Sequence, residues 1–139
     1  MAYWLIKSEP DSWSWSQQVA KGAKGEVWTG VRNHTAKQNL MKMKQGDRAF
    51  FYHSNEGKEI VGIAEVIREH YPDPTDKTGK FVAVDFKAVE ALPRPVTLAE
   101  IKTESKLKNM ALIKLSRLSV QPVTDAEWKA ICSLGGVKP

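Results

Sequence analysis

Five apolar residues, Ala2-Tyr3-Trp4-Leu5-Ile6, follow the first methionine with no polar residue among them. A short, aromatic-rich apolar run of this kind, broken off by Pro10 and Asp11, reads as a strand with both faces buried. Such a strand belongs in the middle of a sheet rather than at its margin, so later parts of the chain must flank and cover it. The chain is long enough to do so. At 139 residues, it can bury about 68% of its unfolded surface without a disulfide or a structural metal. The single cysteine, Cys132, cannot form an internal disulfide, which fits a reducing compartment. A composition of 42% hydrophobic and 27% charged residues is ordinary for one soluble domain, here expected to span residues 1–139. No apolar run approaches the ~20 residues of a bilayer span. MAYWLIKSEP also lacks the basic region and cleavage site of a signal peptide. The expectation is a cytoplasmic domain with no membrane association.

Local signals place the remaining elements. Ser14 with Gln17, Thr97 with Glu100 and Thr124 with Glu127 each form a capping box, predicting helices that begin at those positions. The first is closed by Lys21-Gly22 and the last by Gly135-Gly136. Between Gly25 and Val31 the sequence predicts a strand fragment with a tight bend. A further helix is predicted over about His34–Lys44, with Ala36, Leu40 and Met43 on one face. Arg48–His53 and Ile60–Ile67 flank Ser54–Lys58 as a hairpin. Arg68–Lys80, polar and proline-containing, reads as a surface loop. Phe81–Leu92 alternates as a strand that Pro93 and Pro95 stop. Leu107–Leu115 fits either element type, and Leu118–Pro122 reads as a last strand. Strands and short helices interspersed around a central hairpin indicate an α+β class, with one strongly curved sheet or small barrel dressed by helices.

Several enzyme chemistries find no support. His34, His53 and His70 are far apart and lack metal-ligand spacing, and Cys132 has no second thiol nearby, so no metal site is expected. His53 and Ser54, as successive strand residues, would point to opposite faces and cannot act as a pair. There is no nucleophile elbow, phosphate loop or dinucleotide fingerprint, and no cofactor is expected. Glu9 stands after the first strand either as a turn carboxylate or as a displayed functional group. Acid–base work by Glu9 or His53 on a nucleobase or nucleotide stays open as a second reading, and binding of another small planar ligand as a third.

Binding has more residues behind it. Net charge is +5, distributed as +3 over residues 1–60, −2 over 61–100 and +4 over 101–139. That distribution leaves room for one positive face that attracts phosphate. Of five tryptophans, Trp4 and Trp128 read as core. Trp13, Trp15 and Trp28 lie beside turns, where flat rings either pack inward or line a pocket. Lys7-Ser8-Glu9-Pro10 ends the first strand. Arg32-Asn33 precedes a helix, where Asn33 either caps it or reads the edge of a planar heterocycle. Arg117 and Ser119 bracket Leu118 before the last strand.

The strings YWLIKSEP (3–10), WTGVRN (28–33), GDRAFFYHS (46–54), VGIAEV (61–66), YPDPT (71–75) and RLSVQPV (117–123) together resemble the EVE domain family, in its order and over nearly the whole chain. The resemblance implies a PUA-like fold, akin to the YTH and ASCH domains. In that fold a curved pseudobarrel of about five to six strands carries flanking short helices. It also implies binding of nucleic acid, RNA or DNA, with a modified base such as methylated or hydroxymethylated cytosine held in an aromatic and polar pocket; a monomer without catalytic activity is the accompanying expectation. Carried over by position, the pocket would draw on Lys7, Ser8, Glu9 and Pro10; on Trp28, Arg32 and Asn33; on Tyr52, His53 and Ser54; and on Arg117, Leu118 and Ser119. His34 and Lys37 depart from the residues expected after the Arg-Asn pair. The chain also lacks the basic N-terminal extension of nuclear members, which points to a stand-alone bacterial protein.

Overall fold

A computed structural model describes residues 1–139. Strand β1 (Tyr3–Ser8) runs parallel to β3 (Arg48–His53) on one side and antiparallel to β6 (Val120–Val123) on the other. The N-terminal run is thus an inner strand, as its sequence requires. Its alternate side chains enter two different cores. Trp4 and Ile6 join one with Ala49 and Phe51, while Leu5 joins the other with Phe50 and Tyr52.

Two long strands, β4 (Glu59–Pro72) and β5 (Val82–Thr97), and the short β2 (Glu26–Trp28) complete a sheet in the order β2-β5-β4-β3-β1-β6. Four register shifts interrupt the β4–β5 ladder; each adds bend and twist. The edge strands β2 and β6 do not pair, so the six-stranded mixed sheet curls without closing.

Five α-helices cover the sheet. α1 (Trp15–Ala20), α3 (Leu98–Thr103) and α5 (Asp125–Gly135) each begin at a reciprocal capping box, at Ser14, Thr97 and Thr124. α2 (His34–Lys42) begins at Asn33 and buries Ala36 and Leu40 against the first core. α3, α5 and the short α4 (Ala111–Lys114) cover the second, where Trp128 stacks on Phe50 at 3.9 Å and on Tyr3 at 4.2 Å. Each fully buried ring or branched aliphatic side chain contributes roughly 1.5–3 kcal/mol. The two cores, on opposite faces of β1 and β3, therefore share these strands as a common wall.

Three strand limits differ from the sequence reading. β4 continues through Arg68–Pro72, expected as loop, because Tyr71 and Pro72 have ladder partners in Ala83 and Val82. β5 continues past Pro93 and Pro95 to Thr97. The β4–β5 ladder passes from Gly62–Ala91 to Ile60–Val96, so Leu92–Pro95 bulge opposite the single residue Val61. β2 reaches only Val84–Phe86 on the other side. No strand requires the two missing N–H groups, the circumstance in which strand prolines are tolerated. β6 starts at Val120, leaving Arg117-Leu118-Ser119 in the turn before it.

Candidate functional site

At the C-terminal end of β1 the chain reverses. The Ser12 and Trp13 N–H groups donate to the Glu9 carbonyl, both at 2.9 Å. Ser8 Oγ donates to the Trp13 carbonyl at 2.5 Å. The Trp13 indole Nε1–H donates to Gln18 Oε1 at 2.8 Å, and Gln18 Nε2, fully buried on α1, donates to the Phe86 carbonyl on β5 at 2.9 Å. A half-buried tryptophan is thereby fixed through one amide to the centre of the sheet. Opposite it, Gly25 bends the chain into β2 with a φ of +66° and no room for a side chain, since a Cβ would strike the Phe86 backbone. Between the β1 end and β2 lies an open cleft of about 470 Å³, lined by Lys7, Ser8, Glu9, Ser12, Trp13 and the stretch Glu26–Gly30.

The far rim of this cleft is fastened by Asp73, whose side chain is fully buried. Its Oδ2 accepts from the Gly30 N–H at 2.9 Å and from Arg32 Nη1 at 3.0 Å. Its Oδ1 accepts from the Thr75 N–H and hydroxyl, each at 2.7 Å. Burial alone would raise the Asp73 pKa. The bonds from Thr75, Gly30 and Arg32 outweigh it and hold the carboxyl below the ordinary range.

A second cleft, of about 350 Å³, is lined by Asn33, Thr35, Leu115, Ser116, Arg117 and Leu118. Lys7 ties the two together. Its N–H donates to the Ser119 carbonyl at 3.0 Å and its Nζ to the Ser116 carbonyl at 2.6 Å. Burial lowers the pKa of this amine.

The expected site residues therefore divide. Lys7, Ser8, Glu9 and Trp28 line the first cleft; Asn33, Arg117 and Leu118 line the second. Pro10 opens the turn beside the first cleft without lining it. Trp28 is 9% exposed, with its ring edge-on to Phe51 and Phe86 at 5.7 Å, so it is a core residue that shows the cleft little surface. Asn33 Oδ1 accepts from the Ala36 N–H at 2.9 Å and caps α2. Arg32 is clasped to Asp73 and Thr75, with its guanidinium 5.4 Å from the Phe81 ring. The two departing residues join the same ring: His34 lies 5.3 Å from it and Lys37 Nζ 5.9 Å.

Tyr52 is buried in the second core, on the other side of the sheet from Phe51. His53 Nε2 accepts from the Trp15 N–H at 3.0 Å and so secures the start of α1. Burial depresses its pKa, against an opposing pull from Glu59. The Ser54 N–H donates to the Ser8 carbonyl at 2.9 Å, and Ser119 contributes only its carbonyl, to Lys7. Trp13, Thr29, Gly30 and Glu26 were absent from the expected pocket. Trp13 alone carried a signal, as a ring beside a turn.

Chemically, the first cleft is lined by Glu9, by Glu26 paired with Lys21 at 3.8 Å and by one partly buried aromatic ring, whereas the second offers a guanidinium and no carboxylate. No three His, Cys, Asp or Glu side chains converge as a metal site would require. Cys132 is buried on the inner face of α5, and burial pushes its thiol up to about 11.

A bent, unclosed six-stranded sheet with helices on both faces and a cleft at the end of its first strand defines a PUA-like domain. The fold is shared with the YTH domain of the Zygosaccharomyces rouxii MRB1 protein, solved with N6-methyladenosine RNA (TM-score 0.61, 18% identity, covering 99% of this chain and 88% of that one). The chain belongs to the EVE domain family, which matches residues 2–134. It is similar to Rpa0253 of Rhodopseudomonas palustris (TM-score 0.93, 69% identity, 98% and 94% of the two chains). It is also similar to the human THYN1 protein in complex with DNA containing 5-methylcytosine (TM-score 0.90, 34% identity, 100% of both chains).

Proposed function

We propose that this protein binds nucleic acid by holding one extruded base, a methylated or hydroxymethylated cytosine, in the cleft at the end of β1. The observation that carries the reading is the pairing in that cleft of an immobilised, partly buried indole, Trp13, with the exposed carboxylate of Glu9. An indole gives a base a face to stack on, a contact of roughly 1–3 kcal/mol. A carboxylate accepts from the cytosine 4-amino group. Ser8 Oγ donates its hydrogen bond to the Trp13 carbonyl, which leaves its lone pairs to accept from a base donor. The likeness to the human protein solved with 5-methylcytosine DNA supports the same ligand class.

The test is an anisotropy titration with single-stranded and duplex oligonucleotides, DNA and RNA, carrying cytosine, 5-methylcytosine or 5-hydroxymethylcytosine. The expected result is tighter binding of one modified form, weakening as salt rises. Trp13→Ala should reduce that affinity roughly 10-fold. Equal affinity for modified and unmodified strands, or a Trp13→Ala variant that binds like the parent, overturns the proposal.

A further inference from the structure

We infer that the second cleft is a phosphodiester subsite: it takes the backbone phosphate of the nucleotide whose base fills the first cleft, with Arg117 as the anchoring cation. The inference rests on the base-binding reading above and adds the path of the strand.

The two clefts differ in the chemistry they can satisfy. Glu9 and Glu26 face the first and would repel a phosphate; no acidic residue lines the second. Arg117 is also uncommitted. Among the chain's five arginines, Arg32, Arg48 and Arg94 pair with carboxylates and Arg68 lies 3.7 Å from the Tyr71 ring centroid. Arg117 has neither kind of partner and is exposed at the cleft. A planar guanidinium presents paired donors that match a phosphate's oxygens.

The other lining groups agree. Asn33 Oδ1 is committed to capping α2, so the group left to the cleft is its amide NH₂, a donor. Thr35 and Ser116 add hydroxyls. Leu115 is 52% exposed and gives the apolar face of a sugar something to rest on. Spacing supplies the last element. Lys7 is among the residues lining the first cleft, and its Nζ donates to the carbonyl of Ser116, which lines the second, so the two clefts share one residue as neighbour. Base and phosphate of one nucleotide are likewise joined across a single sugar.

The experiment compares the intact protein with Arg117→Gln and with Lys114→Gln, which removes the same charge from the end of α4, outside the cleft lining. The ligands are 5-methyl-2′-deoxycytidine, a single-stranded oligonucleotide carrying one such nucleotide, and inorganic phosphate. Arg117→Gln should leave nucleoside affinity unchanged and weaken the oligonucleotide roughly 10-fold at low salt. It should also lower the slope of log affinity against log salt by about 0.7. Lys114→Gln should change oligonucleotide affinity less than about twofold.

An unchanged affinity and slope in Arg117→Gln, with Trp13→Ala still impaired, overturns the subsite and leaves base binding standing. Equal losses in the two charge variants reduce Arg117 to general surface charge and also overturn it. Inorganic phosphate that binds through Arg117 without displacing the oligonucleotide assigns the cleft to a free anion instead. If the wild-type protein ignores the modified base, both readings fall together.

Discussion

Replacing Asp73 by asparagine should destabilise this protein nearly as much as replacing it by alanine, although the amide is almost isosteric with the carboxylate. Both carboxylate oxygens are acceptors with two donors each: Gly30 N–H and Arg32 on one, Thr75 N–H and hydroxyl on the other. An asparagine can turn its carbonyl toward only one pair. Its NH₂ then faces a backbone N–H that cannot reorient, at Gly30 or at Thr75. A hydrogen bond to a charged group contributes about 1.5–3 kcal/mol. The Arg32 component is discounted because that side chain is 42% exposed, and such pairs contribute about 0–1 kcal/mol. The two backbone bonds therefore dominate, and each variant should lose about 3 kcal/mol. With a urea m-value of roughly 1–3 kcal/mol/M, the midpoint falls by about 1–3 M.

The pH dependence supplies the check. The folded-state pKa of Asp73 lies below the ordinary value, and the unfolded value is about 3.9. Its contribution is complete above about pH 4 and is lost as pH falls through the folded value. The gap between parent and Asp73→Asn should thus be constant near neutrality and close in acid. Urea titrations across that range decide it. A Cm for Asp73→Asn within about 0.3 M of the parent at pH 7, or a gap indifferent to pH below about 4, refutes the reasoning.

Two further outcomes follow from the same region. Gly62→Ala places a methyl group inside the contact radii of Trp15 Cζ2, Cη2 and Cε2, a ring already held edge-on against Phe51 at 5.2 Å. Overpacking of this kind costs about 1–3 kcal/mol, and a melting curve should show a loss of several degrees, where an unchanged Tm would mean the indole moves without cost. His53 accepts the Trp15 N–H only while Nε2 is unprotonated, and its folded pKa is depressed. Its contribution is therefore full above the unfolded value of about 6.5 and declines as pH drops through the folded one. His53→Gln should flatten the fall in stability between about pH 7 and 5; a variant that tracks the parent across that interval contradicts the assignment.

What the sequence made legible was whatever is encoded within a few residues. Three capping boxes fixed three helix starts, since the side chains and backbone groups involved lie three positions apart. The unbroken apolar runs of β1 and β3 announced strands buried on both faces. Polarity misled at Arg68–Pro72 because those residues are exposed strand, held by a ladder to β5 rather than by a core. The prolines of β5 misled because only the pairing of its neighbours shows that their N–H groups are not needed.

The site follows the same division between local and distant information. Asn33 capped its helix, a role spelled out by its own neighbours. The choice of Trp13 over Trp28 as the ring on the cleft depended on Gln18 reaching the Phe86 carbonyl, 68 positions along the chain. Arg32 was expected at the ligand, yet Asp73 holds it; both strings that supply the pair, WTGVRN and YPDPT, were conspicuous, but nothing local says that they touch. The split of one expected pocket into two clefts has a comparable cause. β1 brings its end beside both the β1–α1 turn and the turn before β6, and half-buried Lys7 is bonded to the second of these through both its N–H and its Nζ. Carboxylates on one side of that lysine and an unpaired arginine on the other give the two clefts opposite charge preferences. A single base-and-phosphate unit satisfies both, whereas a base alone or an anion alone satisfies only one.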